Sequence, residues 1–290
     1  MAEHTGKEKG LEPAVRAGAE LGEGPVWDAA RQRLVWVDIL SSRIHGLDPA
    51  TGRRSVMSAG QHVGAALPRS GGGLVVNLRD GVGLYDEDGA FRWLAREPVP
   101  GRRGNDAAVA PDGALWVGTM RYDERTGGGT LSRVTGDGSV SVVLPEVTVS
   151  NGTGWSPDGS LMYYIDTPTR RIDVFTVTGD GTVTGRRPLV ETGERDGWPD
   201  GLIVDADGCV WVAFWDGGAV RRYTPAGELD RTVRVPVSRP TACAFGGPDL
   251  TDLYITSASV GTDPAREPLA GSVLVLPGAG RGLAQPPFAG

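Results

Sequence analysis

The stretch PDGALWVGT (Pro111–Thr119) sets a tight turn in front of a short apolar run. Proline presets φ, aspartate bonds its own backbone two residues on, and glycine accepts φ > 0, so Pro-Asp-Gly reads as a turn. The run LWVGT is rich in β-branched and aromatic residues and too short for a helix, which makes it a strand. Recurrence makes this stretch decisive. RQRLVWVDI (Arg31–Ile39), SGGGLVVNL (Ser70–Leu78), PDGSLMYYIDT (Pro157–Thr167), ADGCVWVAF (Ala206–Phe214) and LTDLYITSA (Leu250–Ala258) repeat the pattern. With Trp36, Val75, Trp116, Tyr164, Trp211 and Tyr254 as anchors, the steps are 39, 41, 48, 47 and 43 residues. Further strands ending in Gly-containing hairpin turns follow each anchor, such as GVGLYDEDG (Gly81–Gly89) and RRIDVFTVTGDG (Arg170–Gly181). Six units of this length, each worth about four strands and none with a helical period, predict an all-β, six-bladed β-propeller. Ring closure calls for a strand near PAVRAGAE (Pro13–Glu20) to join the last blade.

Composition agrees with one such domain. The chain has 290 residues, and its 45 glycines and 21 prolines fall between apolar runs, where they serve turns. Residues 1–12 read as a disordered tail and 13–290 as the propeller. The net charge of −7 comes without a basic cluster, which argues against nucleic acid as a partner. No apolar run approaches a membrane span, and MAEHTGKEKG lacks the apolar region of a signal peptide. Cys209 and Cys243 sit in apolar runs and read as small buried hydrophobes. A reduced, cytoplasmic protein is expected, as a monomer or weak homo-oligomer.

In a propeller the innermost strand of each blade lines a central channel and begins at one mouth. Glu23, His62 and Asn151 lie thirteen residues before their anchors, and Asn105 and Asp200 eleven before theirs. The sixth unit offers Thr241 at thirteen or Cys243 at eleven. A difference of two keeps side chains on one strand face, so these polar groups are expected to converge. Taken singly, Asp and Asn in such places commonly make local turns; the shared register favours a site. Two carboxylates and an amide carbonyl suit Ca²⁺, Mg²⁺ or Mn²⁺, and Zn²⁺ also accepts carboxylates.

The motifs LGEGPVWD, RGNDAAVAPDGALWVGTM, VSNGTGWSPDG, PDGLIVDADGCVWVA and RPTACAFGG resemble those of the SMP-30/gluconolactonase/luciferin-regenerating-enzyme (regucalcin-like) family over residues 13–277. The resemblance implies a six-bladed propeller with one divalent ion at the channel mouth and, typically, lactone hydrolysis. It assigns Glu23, Asn151 and Asp200 as metal ligands, with Asp200 also the base, and Arg103 and Asn105 as substrate contacts. It places an acidic substrate contact at Asp123, where the family usually has glutamate. Ala107-Ala108 replaces the commoner Gly-Lys of that motif, and His62 and Trp198 are not family hallmarks. These departures surround the substrate and bear on its identity.

The expected function is therefore metal-dependent opening of a sugar lactone. In it the cation polarises the carbonyl, Asp200 assists attack by water and Arg103 grips the substrate with its planar fork. His62 is expected either to contact substrate or move a proton, or else to serve as a structural histidine; Trp198 is expected to wall an apolar part of the substrate. His45 reads as a solvated surface residue. Two alternatives stand beside this reading: the same centre acting on another electrophile, such as a phosphotriester or specialised metabolite, or a non-catalytic propeller that binds metal or protein. No G-x-S-x-G nucleophile turn, P-loop or dinucleotide-binding turn is present.

Overall fold

Each repeat folds as predicted, into a four-stranded antiparallel sheet. The structure, a computed structural model, describes residues 10–290, so most of the expected N-terminal tail, residues 1–9, lies outside the described residues. Its 24 strands, β1–β24 in chain order, form six four-stranded sheets arranged in a ring, a six-bladed β-propeller. The innermost strands are β2 (Gly22–Asp28), β6 (Val63–Pro68), β10 (Arg102–Val109), β14 (Ser150–Trp155), β18 (Trp198–Val204) and β22 (Pro240–Gly246). The five other blades run outward in chain order, but the sixth is completed by the N-terminal strand. There β1 (Glu12–Val15) pairs with β24 (Val273–Leu276), Glu12 opposite Val275. The last blade thus borrows its outer strand from the start of the fold, as PAVRAGAE led one to expect.

The turns form for the reasons the residues supply. At Asp158-Gly159 the aspartate accepts the Ser160 amide at 3.1 Å while Gly159 takes φ = 71°, a conformation costly to any residue with a Cβ. Apolar side chains alternate to both faces of each blade, so the core is divided among the gaps. Six clusters result, one per gap; Val26, Val35, Val37, Ile44, Val76 and Leu78 fill that between the first two blades. Each fully buried side chain of this kind contributes roughly 1.5–3 kcal/mol.

Trp36, Trp116, Trp211 and Tyr164 are fully buried. Trp36 and Tyr164 pack back against the preceding blade, whereas Val75, Trp116, Trp211 and Tyr254 face the following one. His45 corrects the expectation of a solvated residue. It lies within β4 (Arg43–Asp48), 6% exposed, and stacks on Trp36 with ring centroids 5.0 Å apart. Cys209 and Cys243 are free and buried. Among the described residues no helix is long and apolar enough to cross a membrane.

Candidate metal centre at the channel mouth

Bulges, not plain strand alternation, aim the polar ring. In β10, β14, β18 and β22 two residues oppose one on the neighbouring strand, and the first of each pair is Asn105, Asn151, Asp200 and Thr241. In β2 the irregularity follows directly on Glu23. A bulge bends its strand and redirects a side chain; here it turns a donor from each of several blades to the hub. The second blade departs from the count that led to His62. Its extra residue is Gly64, and His62 lies two positions earlier, before β6 begins. A Cβ on Gly64 would collide with the Asn105 carbonyl, so β6 approaches β10 too closely to carry a side chain there.

The ring residues are cross-braced. An Arg103 Nη1 donates to the Asn105 side-chain oxygen at 2.6 Å and to the Gly104 carbonyl at 2.9 Å. Asn105 in turn donates its Nδ2 to the Asn151 Oδ1 at 2.8 Å and to the Ser150 carbonyl at 2.9 Å. Asn151 donates Nδ2 to Thr167 Oγ1 at 2.7 Å, and Thr167 donates to the Pro199 carbonyl at 2.8 Å, next to Asp200. This chain orients the Asn151 oxygen and ties β14 to β18. Asn77, buried behind, donates to the backbone carbonyls of Asn105 and Gly118 at 3.0 and 2.9 Å. Asp38 and Asp166 hold the approach to β2 and β14 alike: Asp38 accepts the amides of Glu20 and Leu21, Asp166 those of Thr148 and Val149.

Glu23 and Asp200 are buried, at 8% and 5% exposure, and neither forms an ion pair among the described residues. Burial raises the Glu23 carboxyl to about 8, with the charge of Asp106 adding to it against the Gly24 amide and Arg103. Burial likewise lifts Asp200 well above the usual carboxylate range, followed by the charges of Glu23 and Asp106. Asp106, the second residue of the β10 bulge, is raised by burial to about 6. Asp200 Oδ1 is buried with no hydrogen-bond partner.

Uncompensated buried acids are costly unless a cation neutralises them. The donor set therefore fits a divalent ion: two acids that repel each other, an orphan Asp200 oxygen, and an Asn151 oxygen with a lone pair to spare. Among the described residues no group of three or more His, Cys, Asp or Glu side chains is arranged to hold a metal; here amide oxygens would complete the set. Below the ring, a cavity of about 60 Å³ lined by Asp106, Thr153, Leu202 and Cys243 ends against Gln285 and Pro286. It is too small for a sugar, so a substrate would meet these groups from the open mouth.

The remaining predicted contacts divide. Arg103 and Asn105 reach the ring. Asp123 does not: it is exposed and held by Arg121 through Nε at 2.8 Å and Nη2 at 3.0 Å. Tyr122, one residue earlier and not singled out from the sequence, instead bonds His62 Nδ1 at 2.7 Å. Trp198 lies two residues before Asp200, half-buried, with the Arg170 guanidinium 3.6 Å over its ring; one face of the expected wall is thus taken. Asp106, Thr167 and Asn77 were also missed as site residues. The parallel of Asp38 and Asp166 was open to discovery, since each stands two residues after its anchor.

A family model described as SMP-30/Gluconolactonase/LRE-like region matches residues 21–259. The chain belongs to this family. It is 38% identical over 287 residues to a 6-deoxy-6-sulfogluconolactonase of Pseudomonas putida, covering 97% of this chain and 99% of that one. A pentonolactonase of Haloferax volcanii is 39% identical over 247 residues, 84% of each chain. Among solved structures, a calcium-binding regucalcin of Agrobacterium tumefaciens superposes with a TM-score of 0.92 at 31% identity, covering 95% and 96% of the two chains. Family membership therefore agrees with the ring of blades and with the region that carries Glu23, Arg103, Asn105, Asn151 and Asp200.

Proposed function

We propose that this protein hydrolyses a sugar lactone, using a divalent cation held by Glu23, Asn151 and Asp200. The observation that carries the reading is the pair of buried, unpaired acids beside a braced amide oxygen, with Asp200 Oδ1 left free. The relatives named as a 6-deoxy-6-sulfogluconolactonase and a pentonolactonase support lactone opening as the reaction. The calcium-binding regucalcin supports a hard divalent ion.

Bound there, the cation supplies Lewis-acid polarisation of the lactone carbonyl and eases ionisation of water. Glu23 contributes charge to hold it. Asn151 contributes a neutral oxygen whose direction is set by Asn105 and Thr167. Asp200 would hold the cation through one oxygen and accept the proton of the attacking water on the other, since no donor among the described residues competes for its carboxylate. Arg103 spends Nη1 on Gly104 and Asn105 and makes no ion pair among the described residues, so Nε and Nη2 remain for a substrate oxygen. Asn105 positions Asn151 and borders the same space.

The test is hydrolysis of D-glucono-1,5-lactone and of a pentonolactone followed by proton release. Activity should vanish after EDTA and gel filtration and return on adding Mn²⁺, Zn²⁺ or Ca²⁺. Asp200→Asn should lower kcat by about 10²–10⁴-fold. Hydrolysis that survives EDTA, or an undiminished Asp200→Asn enzyme, would remove the proposal.

A further inference from the structure

The mouth of the site carries a pair that its donor ring does not explain. His62, just before β6 on the second blade, and Tyr122, just after β11 (Leu115–Arg121) on the third, meet across the gap between blades. Their rings lie edge to face with centroids 5.6 Å apart. The backbone fixes both: the Arg79 amide donates to the His62 carbonyl at 2.9 Å, and the Tyr122 amide to the Gly101 carbonyl at 3.0 Å. Arg103 stands beside them, opposite Met120 in the β10–β11 ladder, two rungs from Tyr122.

This rim is made of donors. Arg103 is 7% exposed, a buried guanidinium with no ion pair among the described residues. His62 and Tyr122 share one hydrogen between them, which leaves a second N–H or O–H unspent; the ring Nε2 of His62 has no protein partner among the described residues. Burial and the charges of Arg103 and Arg79 hold the imidazole below its usual pKa, and burial holds the phenol above its own, so both are neutral near pH 7. The one acid expected here, Asp123, is turned away to Arg121. Arg79 is held by Asp80, and Glu20 and Glu124, though nearby, pair with no rim cation among the described residues. Vicinal hydroxyls need acceptors as well as donors. A cluster of neutral donors around an unpaired guanidinium instead matches an oxyanion, whose several oxygens accept only.

We infer that Tyr122 and His62, together with Arg103, determine specificity by binding an oxyanion substituent of the substrate, a sulfonate, phosphate or carboxylate remote from the reacting carbonyl. The inference rests on the reading of this mouth as a lactone site and names the class of lactone. Isothermal titration of the Mn²⁺-loaded protein with D-gluconate, D-gluconate 6-phosphate and D-glucarate tests it without turnover. At least one of the two acids that carry a second anionic group should bind about tenfold or more tighter than gluconate. Tyr122→Phe and His62→Ala should each shrink that ratio to within about threefold. Each variant is its own reference through its gluconate affinity, so a folding defect, which weakens all ligands together, does not imitate the result. A ratio near one in the unchanged protein, or a ratio unaltered in both variants, overturns the inference. Preference among the acids with no lactone hydrolysed would sustain the rim and sink the hydrolytic proposal; hydrolysis without preference would do the reverse.

Discussion

Asn105 illustrates how much a single side chain can carry without being a ligand. It accepts from Arg103 and donates to Asn151, so it couples the group expected to grip substrate to the group expected to hold the cation. Asn105→Ala would leave the Asn151 amide braced by Thr167 alone and the Arg103 guanidinium short of an acceptor. Losing such a supporting bond commonly costs about 10–100-fold in metal affinity. We expect Mn²⁺ titration of the variant, followed by the rise of Tm with metal, to show a loss in that range. An unchanged Mn²⁺ affinity would mean the brace is idle. Asp106 stands out at the same scale. The second bulge position is Gly152, Gly201 and Ala242 in the other bulged strands, but an acid in β10, and its charge raises the proton affinity of both Glu23 and Asp200.

At the scale of strands, β4 hides a titratable group. Burial, with Arg54 and Arg43, lowers the His45 pKa from 6.5, only partly opposed by Asp38, and both ring nitrogens lack partners. The unfolded chain therefore binds a proton that the folded protein resists. The stability associated with neutral His45 is fully present above pH 6.5 and is lost as pH falls through the lowered folded value. We expect His45→Phe, which retains the stack on Trp36, to gain Tm relative to the unchanged protein between pH 7 and pH 5, since the raised acids Glu23, Asp106 and Asp200 titrate alike in both. Parallel curves for the two proteins would refute this. Glu23, Asn105, Asn151 and Asp200 stand at regular distances before their anchors because their strands share a layout, bulge included. Trp36 and Tyr164 face the opposite way from the other anchors, and the turns closed by Trp27–Leu34 and Trp155–Met162 are one residue longer than those closed by Val109–Leu115 and Val204–Val210, so offsets of thirteen and eleven reach the same mouth. The count failed at His62 because Val75 faces forward, and eleven residues before it stands Gly64.

Across the whole molecule, two segments far apart in sequence finish the ring. β1 completes the sixth blade, and the C-terminal residues cross the far end of the channel. There Phe288, fully buried in the cluster between the second and third blades, donates its amide to the Pro68 carbonyl at 2.9 Å, while the Ala289 amide reaches Gly113 at 3.0 Å. Truncating a buried phenylalanine leaves a cavity and costs about 3–5 kcal/mol. Phe288→Ala should lower the urea midpoint accordingly, while leaving the proposed metal site at the opposite mouth able to bind Mn²⁺. Loss of metal binding in the folded variant would show that the two mouths are mechanically coupled.

Strand periodicity, turn residues and repeat length are local properties, and they were enough to predict the six blades, the borrowed closing strand and the gathering of Glu23, Asn151 and Asp200 at one mouth. What only the tertiary structure decided is which side chains meet: Tyr122 rather than Asp123 beside His62, Arg170 over Trp198, His45 beneath Trp36, Asp106 among the acids. Those outcomes turn on bulges and on distances between different blades. Hydrogen bonds and Coulomb terms change steeply over a few ångströms and with burial, and spacing along one strand carries no record of its neighbour's register.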